Sequence, residues 1–180
     1  MLSYEEKKMW YVIQVLTGTE EKIAEKCRKT IGIQDEESVL RKCFIPYVIR
    51  KRRYYGEWHE EKKIMFPGYV FLVSDNPGEL FLGLKKVSGL TKLLGTGEEI
   101  VPLSEEEEAF LKRLGGEEQI VEGSIGIIEH DWILITEGPL QGMEGNIQKI
   151  DRHKRIAWLE IELMGRKIET QVGLEVIEKR

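Results

Sequence analysis

The sequence predicts an α+β protein in which an N-terminal antiparallel sheet with packed helices is followed by a small C-terminal five-stranded β-barrel. Up to residue 115, short aromatic and β-branched runs alternate with segments of helical periodicity. From residue 125 onward there are 13 Ile or Val residues and no helical period, which favours strands. Gly115-Gly116-Glu117-Glu118-Gln119 contains two glycines and no large apolar residue, and it marks a linker. The expected boundaries are 8–115 for the first domain, 116–124 for the linker and 125–180 for the second domain.

Helix signals in the N-terminal region come from capping residues. Thr19 is the expected N-cap of a first helix that ends before Gly32. Asn76 followed by Pro77 predicts a second helix, because proline costs no hydrogen bond at the first helical position. Ser104, followed by four glutamates, predicts a third helix. Strands are expected at 10–16, 44–49 and 68–73, with a short edge strand beginning at Leu93-Leu94.

The hairpin around residue 55 and the C-terminal strands are predicted from turn residues and from side chains that alternate with a period of two. Residues 50–61 are basic and aromatic around Tyr54-Tyr55-Gly56, and we expect them to form the tip of a hairpin. In residues 156–161, the set Ile156, Trp158 and Glu160 alternates with the set Ala157, Leu159 and Ile161, which is the period of two that a β-strand has. Several short strands in so small a region imply a barrel, which avoids free sheet edges. The C-terminal strands are expected at 132–136, 145–150, 156–163, 166–172 and 174–177.

Composition predicts a soluble, cytoplasmic protein without a cofactor. Of the 180 residues, 41% are hydrophobic, which is enough for packed cores. No run approaches the roughly 20 apolar residues that span a bilayer, and the first residues lack a signal-peptide core. Cys27 and Cys43 form no metal-ligand pair, and a disulfide is not expected in a reducing compartment. We expect a monomer with no metal and no membrane partner.

Charges of both signs are segregated along the chain, although the net charge is only −5. Residues 41–63 carry eight bases and three acids, whereas residues 98–118 carry eight glutamates and two bases. A further basic cluster at 149–155 is offset by Asp151 alone. Screening limits the reach of each charge to ~8–10 Å, so a basic patch can hold phosphate even on an acidic protein. Solvated surface charge is the alternative interpretation.

The sequence has no recognisable enzyme motif. His59, His130 and His153 show no ligand spacing, and there is no Walker loop, Gly-x-Ser-x-Gly elbow, CxxC pair or HExxH motif. We therefore expect a protein that is not an enzyme. Two other classes stay open: a nucleic-acid-processing enzyme that uses glutamates and a divalent ion, and a ribosome-associated RNA-binding module.

Aromatic residues on two predicted strands indicate a binding surface. Phe66-Pro67-Gly68-Tyr69-Val70-Phe71 has three aromatic residues within six, and Trp10-Tyr11 lies on another strand. An exposed apolar groove usually marks a protein-binding site. We expect the rings of Trp10 and Tyr11 to line such an open groove. The alternative is that all five aromatic residues belong to the core.

The same residues resemble a known family. Trp10-Tyr11-Val12-Ile13-Gln14, Phe66-Pro67-Gly68-Tyr69-Val70 and Val87-Ser88-Gly89-Leu90 resemble the N-terminal (NGN) domain of NusG-type transcription elongation factors. After the linker, Gly138-Pro139-Leu140 and Met164-Gly165-Arg166 are similar to the family's KOW barrel. The order and spacing of both sets extend the resemblance over nearly the whole chain.

The resemblance implies a partner and a site. The family's N-terminal domain holds the clamp helices of RNA polymerase in an apolar groove and bridges the DNA cleft, which disfavours paused states. Such a factor shifts the equilibrium between paused and elongating polymerase only if it binds one of these two states more tightly than the other. The residues that match the RNA polymerase-binding groove are Trp10, Tyr11, Phe66, Pro67, Tyr69 and Leu94.

Two departures from the family pattern indicate a specialised member. Leu140 and Met164 stand where housekeeping NusG has aromatic residues of the surface that contacts Rho or a ribosomal protein. Basic loops on a small barrel can instead hold RNA phosphates, and His153 can stack on a base. Ordinary turn solubility is the alternative. The residues expected to bind nucleic acid are Arg50, Lys51, Arg52, Arg53, Lys149, Arg152, His153, Lys154, Arg155, Arg166 and Lys167.

We therefore expect a specialised NusG paralogue of the LoaP type, an antiterminator recruited by a hairpin in nascent RNA. An RfaH-like specialist recruited through DNA is a second hypothesis. The Ile and Val content after residue 125 disfavours the refolding into helices that some of those proteins undergo. A housekeeping NusG that couples polymerase to Rho or the ribosome is the third.

Overall fold

The structure is a computed structural model that describes residues 7–33, 38–93, 95–96 and 99–180, with the side chains at 90–100 not described. The predicted contact residue Leu94 therefore lies outside the described residues. Contacts group the chain into two compact units. The first unit is Met1–Ile45 with Pro67–Ser104, and the second is Pro46–Phe66 with Glu105–Arg180.

Helices and strands together confirm the predicted α+β class. The helices are α1 (Glu20–Ile31), α2 (Pro77–Leu84) and α3 (Glu105–Gly115), with a 3-10 turn at Glu144–Asn146. The strands are β1 (Met9–Val15), β2 (Lys42–Phe44), β3 (Tyr47–Tyr54), β4 (Glu57–Ile64), β5 (Tyr69–Ser74), β6 (Leu90–Leu93), β7 (Gly95–Thr96), β8 (Glu99–Ile100), β9 (Ile120–Val121), β10 (Ser124–Glu129), β11 (Trp132–Glu137), β12 (Ile147–Asp151), β13 (Ile156–Leu163) and β14 (Arg166–Lys179).

The sheet of the first unit is antiparallel and has the strand order β2-β5-β1-β6. Val12 and Phe44 both pair with Phe71, so these three side chains share one face. Trp10 lies on the same face, and its ring centroid is 4.9 Å from that of Phe44. On the opposite face, the Sγ atom of Cys43 lies 3.7 Å from a carbonyl oxygen of α1. Helix α1 therefore packs on the face that does not carry Trp10.

Helix α1 forms as predicted with Thr19 at its N-cap, but the Thr19 side chain does not cap the helix. Thr19 makes no side-chain capping hydrogen bond, because its Oγ1 donates to the carbonyl oxygen of Leu16 (2.6 Å) in the preceding turn. The buried Glu20 carboxylate accepts the neighbouring backbone donors instead. Its Oε2 accepts from Gly18 N (2.9 Å), and its Oε1 accepts from Gly68 N (2.8 Å). One carboxylate thus ties the start of α1 to the turn before β5.

Helices α2 and α3 begin at the predicted capping residues. The Asn76 side chain accepts a hydrogen bond from Glu79 N (3.2 Å), and Pro77 occupies the first turn of α2. Helix α3 begins directly after Ser104 with four acidic residues, which suits the positive end of the helix dipole. The cap at Asn76 and the start of α3 directly after Ser104 are confirmed, and capping by the Ser104 side chain stays a prediction.

The hairpin predicted around 50–61 is confirmed as β3 and β4. Its two-residue loop is Tyr55-Gly56, with φ of 51° and 75°, the pair of positive values that a type I′ turn requires. At its other end β3 pairs in parallel with β9, and Tyr47 N donates to Gln119 O (2.9 Å). Part of the predicted linker is therefore paired with the hairpin.

The C-terminal sheet has five strands, as predicted, in the order β11-β10-β14-β13-β12. Closure of this sheet into the predicted barrel is not shown, because β11 and β12 do not pair with each other among the described residues. The chain between them turns and buries Leu140 and Met143 instead of extending a strand. Strand β10 was not among the predicted strands, and the predicted pair at 166–172 and 174–177 is one continuous strand, β14.

Strand β14 runs through Gly173 because that glycine allows a close approach of β3. A Cβ atom at position 173 would lie 2.8 Å from the carbonyl oxygen of Ile49. The first half of β14 pairs antiparallel with β13, and the second half pairs in parallel with β10. The hairpin therefore packs against the C-terminal sheet inside the second unit. Packing units do not define independent folding, so the domain boundaries 8–115, 116–124 and 125–180 stay a prediction.

Candidate nucleic-acid interface

A cavity of about 440 Å³ lies in the second unit between the β3–β4 hairpin and the turn that joins β12 to β13. We call this cavity the basic cleft. Its lining holds six basic side chains and a single carboxylate, that of Glu61. Two indoles, His153 and Gln171 complete most of the remaining wall. The six basic residues are Arg50, Lys51, Arg52, Arg53, Lys63 and Lys154.

Consecutive cations on β3 point to alternate faces of the hairpin. The register pairs Arg50 with Glu61, and Arg53 with Trp58 on the other face. Arg50 donates a hydrogen bond to Oε1 of Gln171 on β14, which fixes the guanidinium against the C-terminal sheet. Arg52 reaches Oε1 of Glu61 at 3.4 Å. The hairpin thus presents positive charge at the edge that meets the sheet.

Some of these cations are neutralised and others are not. Lys51 lies 3.9 Å from Oε2 of Glu175, a loose ion pair. Arg53, Lys63 and Lys154 form no ion pair with any residue that the structure describes. Unpaired cations that line a cavity attract phosphate without first having to break an internal bridge. Arg50 also lacks an ion pair among the described residues, but its guanidinium is bonded to the neutral amide of Gln171, so Arg53, Lys63 and Lys154 are the cleft cations without either kind of bond.

A row of side chains crosses the sheet beneath the cleft. Lys149, Trp158 and Gln171 are direct cross-strand partners on β12, β13 and β14, so all three project from one face. Lys149 Nζ lies 4.8 Å from the Trp158 ring centroid, and Arg155 Cζ lies 4.0 Å from that of Trp58. Cations at these distances are attracted by the ring quadrupoles. Both indoles are partly exposed and border the cleft.

The turn between β12 and β13 holds its basic residues through Asp151. The Oδ1 atom of Asp151 accepts a hydrogen bond from Lys154 N at 3.0 Å. That bond, with the backbone N–H of His153 and the charges nearby, lowers the pKa of Asp151. Arg155 follows with a positive φ of 54° and reaches Oε1 of Glu175 at 3.5 Å. The acid at 151 therefore orders the turn rather than cancelling its charge.

The structure brings together six of the eleven residues predicted to bind nucleic acid. Arg166 and Lys167 lie at the start of β14 outside the cleft, and Lys167 pairs with Glu160 at 3.6 Å. Arg152 is exposed in the turn. Lys149 and Arg155 contact the two indoles from outside the lining. The predicted residues that line the cleft are Arg50, Lys51, Arg52, Arg53, His153 and Lys154.

Six lining residues of the cleft were not among the predicted site residues: Trp58, Glu61, Lys63, Ile156, Trp158 and Gln171. Trp58 and Lys63 could have been found, because a two-residue loop at Tyr55-Gly56 fixes the register that places them opposite β3. Trp158 and Gln171 carry no such local signal. They reach the cleft only because β14 pairs with β13 and the hairpin packs on both.

The aromatic groove predicted near the N-terminus needs a correction. Trp10 and Tyr11 are neighbours on β1 and point to opposite faces, so they do not line one groove. They are 6% and 2% exposed, respectively. Tyr11 lies on the α1 face, where burial raises the pKa of its phenol. The expectation that both rings stand open is therefore wrong.

The other predicted polymerase contacts are divided between core and surface. Phe66 is 1% exposed, whereas Pro67 is exposed and Tyr69 is partly exposed. Tyr69 pairs with Gln14, so it lies on the same sheet face as Trp10. Gly68 has a φ of 86°, and a Cβ there would lie 3.3 Å from Val15 O. The contact role of these residues stays a prediction.

Leu140 and Met164, the two residues that depart from the family pattern, lie in different surroundings. Leu140 is fully buried, and its backbone N donates to the Ser124 hydroxyl at 3.0 Å. Met164 is partly exposed in the β13–β14 turn, with its backbone N donating to a carboxylate oxygen of Glu107. Leu140 therefore belongs to the core of the C-terminal sheet rather than to a contact surface.

The described part of the chain also bears on metal binding, thiol chemistry and membrane insertion. There, no three His, Cys, Asp or Glu side chains are grouped to hold a metal ion. Cys27 and Cys43 are free and buried, and the hydrogen bond between them raises the pKa of Cys43 and lowers that of Cys27. Among the helices formed by described residues, none has the length and apolar character to span a membrane.

Comparison with known proteins identifies the family. The family model NusG, described as transcription termination factor nusG, matches residues 8–112, more than half of the chain. The chain belongs to the NusG family. It is therefore a member of a family of transcription termination and antitermination factors, as the resemblance of its motifs predicted. This assignment rests on the family model and not on an open aromatic groove.

Relatives and a solved structure extend the similarity over nearly the full length of this NusG-family chain. It is 24% identical to the transcription termination/antitermination protein NusG of Vibrio parahaemolyticus, over 96% of each chain. Identity is 26% with the NusG protein of Halalkalibacterium halodurans, over 96% of this chain and 99% of the relative. A solved structure described as domain interaction in Thermotoga maritima NusG is 25% identical over 94% of each chain, with a TM-score of 0.61.

Proposed function

We propose that this NusG-family chain is a processive antitermination factor that binds RNA polymerase and recognises a hairpin in nascent RNA through the basic cleft. The cleft carries the proposal, because six basic side chains and two indoles line one cavity against one carboxylate. Phosphates are attracted to the cations, and unpaired bases stack on aromatic rings. This lining suits RNA better than it suits an apolar ligand.

Family membership supports RNA polymerase as the protein partner. The chain acts by binding and is not an enzyme, so nucleotide addition belongs to the polymerase. A bound factor suppresses pausing and termination only if it binds the elongating state more tightly than the paused state. We propose the clamp helices as its contact on the polymerase.

For that contact we propose the sheet face that carries Trp10 and Tyr69, with Pro67 beside it. Tyr69 is the partly exposed aromatic residue of this face, and it can meet a partner without unfolding of the sheet. Tyr69→Ala should weaken binding to purified RNA polymerase. The matched control is Leu82→Ala on α2, where an apolar side chain is 59% exposed. Equal affinity of the Tyr69→Ala variant and the wild type would contradict this contact.

RNA recognition is tested with the full-length protein and two RNAs, a leader hairpin from an operon that the protein regulates and a scrambled version of it. We expect a gel shift with the hairpin at salt concentrations that abolish the shift with the scrambled RNA. The reason is that base contacts add to the phosphate attraction common to both. Weak and strongly salt-sensitive binding that is equal for both RNAs would contradict the recognition of a specific hairpin.

Antitermination is tested by single-round transcription through terminators placed far downstream of the hairpin sequence. We expect read-through to rise only on templates that encode the hairpin, because the RNA recruits the factor to that polymerase. A deletion of the hairpin sequence is the template control. Read-through that is the same on both templates would contradict RNA-dependent recruitment.

A general NusG that couples polymerase to Rho or the ribosome is the second candidate. The full-length similarity to proteins named transcription termination/antitermination protein NusG favours it. The burial of Leu140, where the family pattern has a contact aromatic, favours the specialised role. Pull-downs of the full chain with Rho and with ribosomes separate the two, and robust capture would support the general factor.

A further inference from the structure

We propose that the basic cleft holds one unpaired ribonucleotide, with its base stacked on Trp158 beside Gln171 and its phosphate held by Arg53, Lys63 or Lys154. This inference rests on the proposed binding of RNA and specifies how the site reads it. Three features of the cleft lead to it: its size, the row of side chains on the sheet, and the separation of bridged from unbridged cations.

The size of the cleft suits a single nucleotide. Its volume of about 440 Å³ lies near the lower end of the ~300–1,000 Å³ range of small-ligand pockets. A double helix presents its bases edge-on and stacked, so a paired base has no free face to offer an indole. A base that has left its helix has two such faces. The occupant that fits an indole-lined cavity of this size is therefore unpaired.

The row Lys149–Trp158–Gln171 supplies the stacking platform and a reading group. Lys149 lies over the Trp158 ring but does not line the cleft, whereas Trp158 does. Gln171 is the direct neighbour of Trp158, and its Oε1 already accepts from Arg50. The amide nitrogen of Gln171 is then the donor that remains for the edge of a base stacked on Trp158.

The basic side chains of the cleft fall into two groups, those bonded to other residues of the protein and those available to a ligand. Arg50 is bonded to Gln171, and Arg52 reaches Glu61. In contrast, Arg53, Lys63 and Lys154 have no ion pair among the described residues. A phosphate next to the stacked base meets these three charges without displacing a bridge. The cleft thus offers a base platform and a phosphate site together.

The inference is tested with full-length protein, oligouridylate and a duplex of oligoadenylate with oligouridylate. Stacking tolerates any base, so oligouridylate is a sufficient probe of the platform. We expect Trp158→Leu to weaken oligouridylate binding by roughly five- to a hundredfold and to leave duplex binding unchanged. Trp158→Phe should restore most of the affinity. The control is Trp132→Leu on β11, where the side chain is 79% exposed and outside the cleft, and it should bind as the wild type does.

Two further measurements separate stacking from damage to the fold. The salt dependence of oligouridylate binding should keep the wild-type slope in Trp158→Leu, because the phosphate contacts are intact. Quenching of tryptophan fluorescence by oligouridylate should be clearly weaker in Trp158→Phe, where Trp58 is the remaining indole of the cleft, and should be unchanged in Trp132→Phe. Thermal unfolding of each variant shows whether it is folded at the assay temperature.

Several results would overturn the inference. They are unchanged affinity of Trp158→Leu, equal loss on single-stranded and duplex RNA, undiminished quenching in Trp158→Phe, or no binding of oligouridylate by the wild type. In each case the preference for the leader hairpin over its scrambled version is measured independently. A retained preference would leave the proposed function standing without this nucleotide site, and a lost preference would remove the proposed RNA recognition itself.

Discussion

Arg155 lies over the indole of Trp58, with 4.0 Å between Cζ and the ring centroid. The two residues are distant in sequence, one in the turn after β12 and the other on the hairpin strand β4. Arg155 also reaches Oε1 of Glu175 at 3.5 Å, and Lys51 reaches Oε2 of the same carboxylate at 3.9 Å. This set of contacts joins the two walls of the basic cleft.

Removal of the Arg155 side chain should loosen this junction. Arg155→Ala loses the contact with Trp58 and a partly exposed ion pair, and we expect the free energy of unfolding to fall by about 1 kcal/mol. Urea denaturation measures it. Arg152→Ala changes an exposed arginine in the same turn and should leave the midpoint unchanged. An unchanged midpoint for Arg155→Ala would show that the contact with Trp58 contributes no stability.

The close approach of β3 to β14 predicts a strong effect at Gly173. A methyl group there meets the Ile49 carbonyl oxygen at 2.8 Å, so Gly173→Ala should lower the free energy of unfolding by about 1–3 kcal/mol. Gly145→Ala is the control, since nothing lies within 4 Å of a Cβ at that position. Equal unfolding midpoints for the two variants would argue against the packing of the hairpin on β14.

Tyr11 predicts a loss of stability in alkaline solution. Burial raises the phenol pKa above its ordinary value of 10.0 in the folded state, so the unfolded chain releases this proton first as the pH rises. The free energy of unfolding should therefore fall above about pH 10 in the wild type. Tyr11→Phe should match the wild type at neutral pH and retain more stability than it above pH 10. Parallel pH profiles in urea denaturation would contradict the prediction.

The salt dependence of RNA binding should identify which cations meet phosphate. Arg53→Gln and Lys154→Gln should each reduce the slope of log affinity against log salt concentration by about 0.7 for single-stranded RNA. Arg166→Gln lies outside the cleft and should keep the wild-type slope. The measurement is fluorescence anisotropy with labelled RNA over a salt series. A larger slope change for Arg166→Gln than for Lys154→Gln would move the phosphate site to the start of β14.

Local signals in the sequence predicted the elements of the fold better than their connections. The cap at Asn76, the start of α3 after Ser104 and the hairpin around Tyr55 depend on a few neighbouring residues, and all three form as predicted. Thr19 occupies the predicted N-cap, but the hydrogen bond between the neighbouring Glu20 and Gly68 could not be foreseen, because Gly68 is distant in sequence. The unbroken β14 likewise depends on a strand that crosses Gly173. Such long-range pairings have no local pattern.

The candidate site was predicted in its charges but not in its aromatic residues. The basic runs at 50–53 and 153–154 are contiguous and visible in the sequence, and the structure brings them together. Trp158 lines the cleft, and its place there depends on its register with Gln171 on a strand distant in sequence. The opposite error concerns Trp10 and Tyr11, whose proximity in sequence suggested one groove although a strand sends neighbours to opposite faces.

A cross-linking experiment on a stalled elongation complex tests the central claim most directly. A photoreactive amino acid replaces Lys154 in the cleft or, as the matched control, Arg166 at the start of β14. We predict that the group at position 154 cross-links to nascent RNA once the hairpin has been transcribed, and that the group at position 166 does not. Cross-links from position 154 to protein alone, or equal RNA cross-linking from both positions, would contradict RNA recognition by the basic cleft.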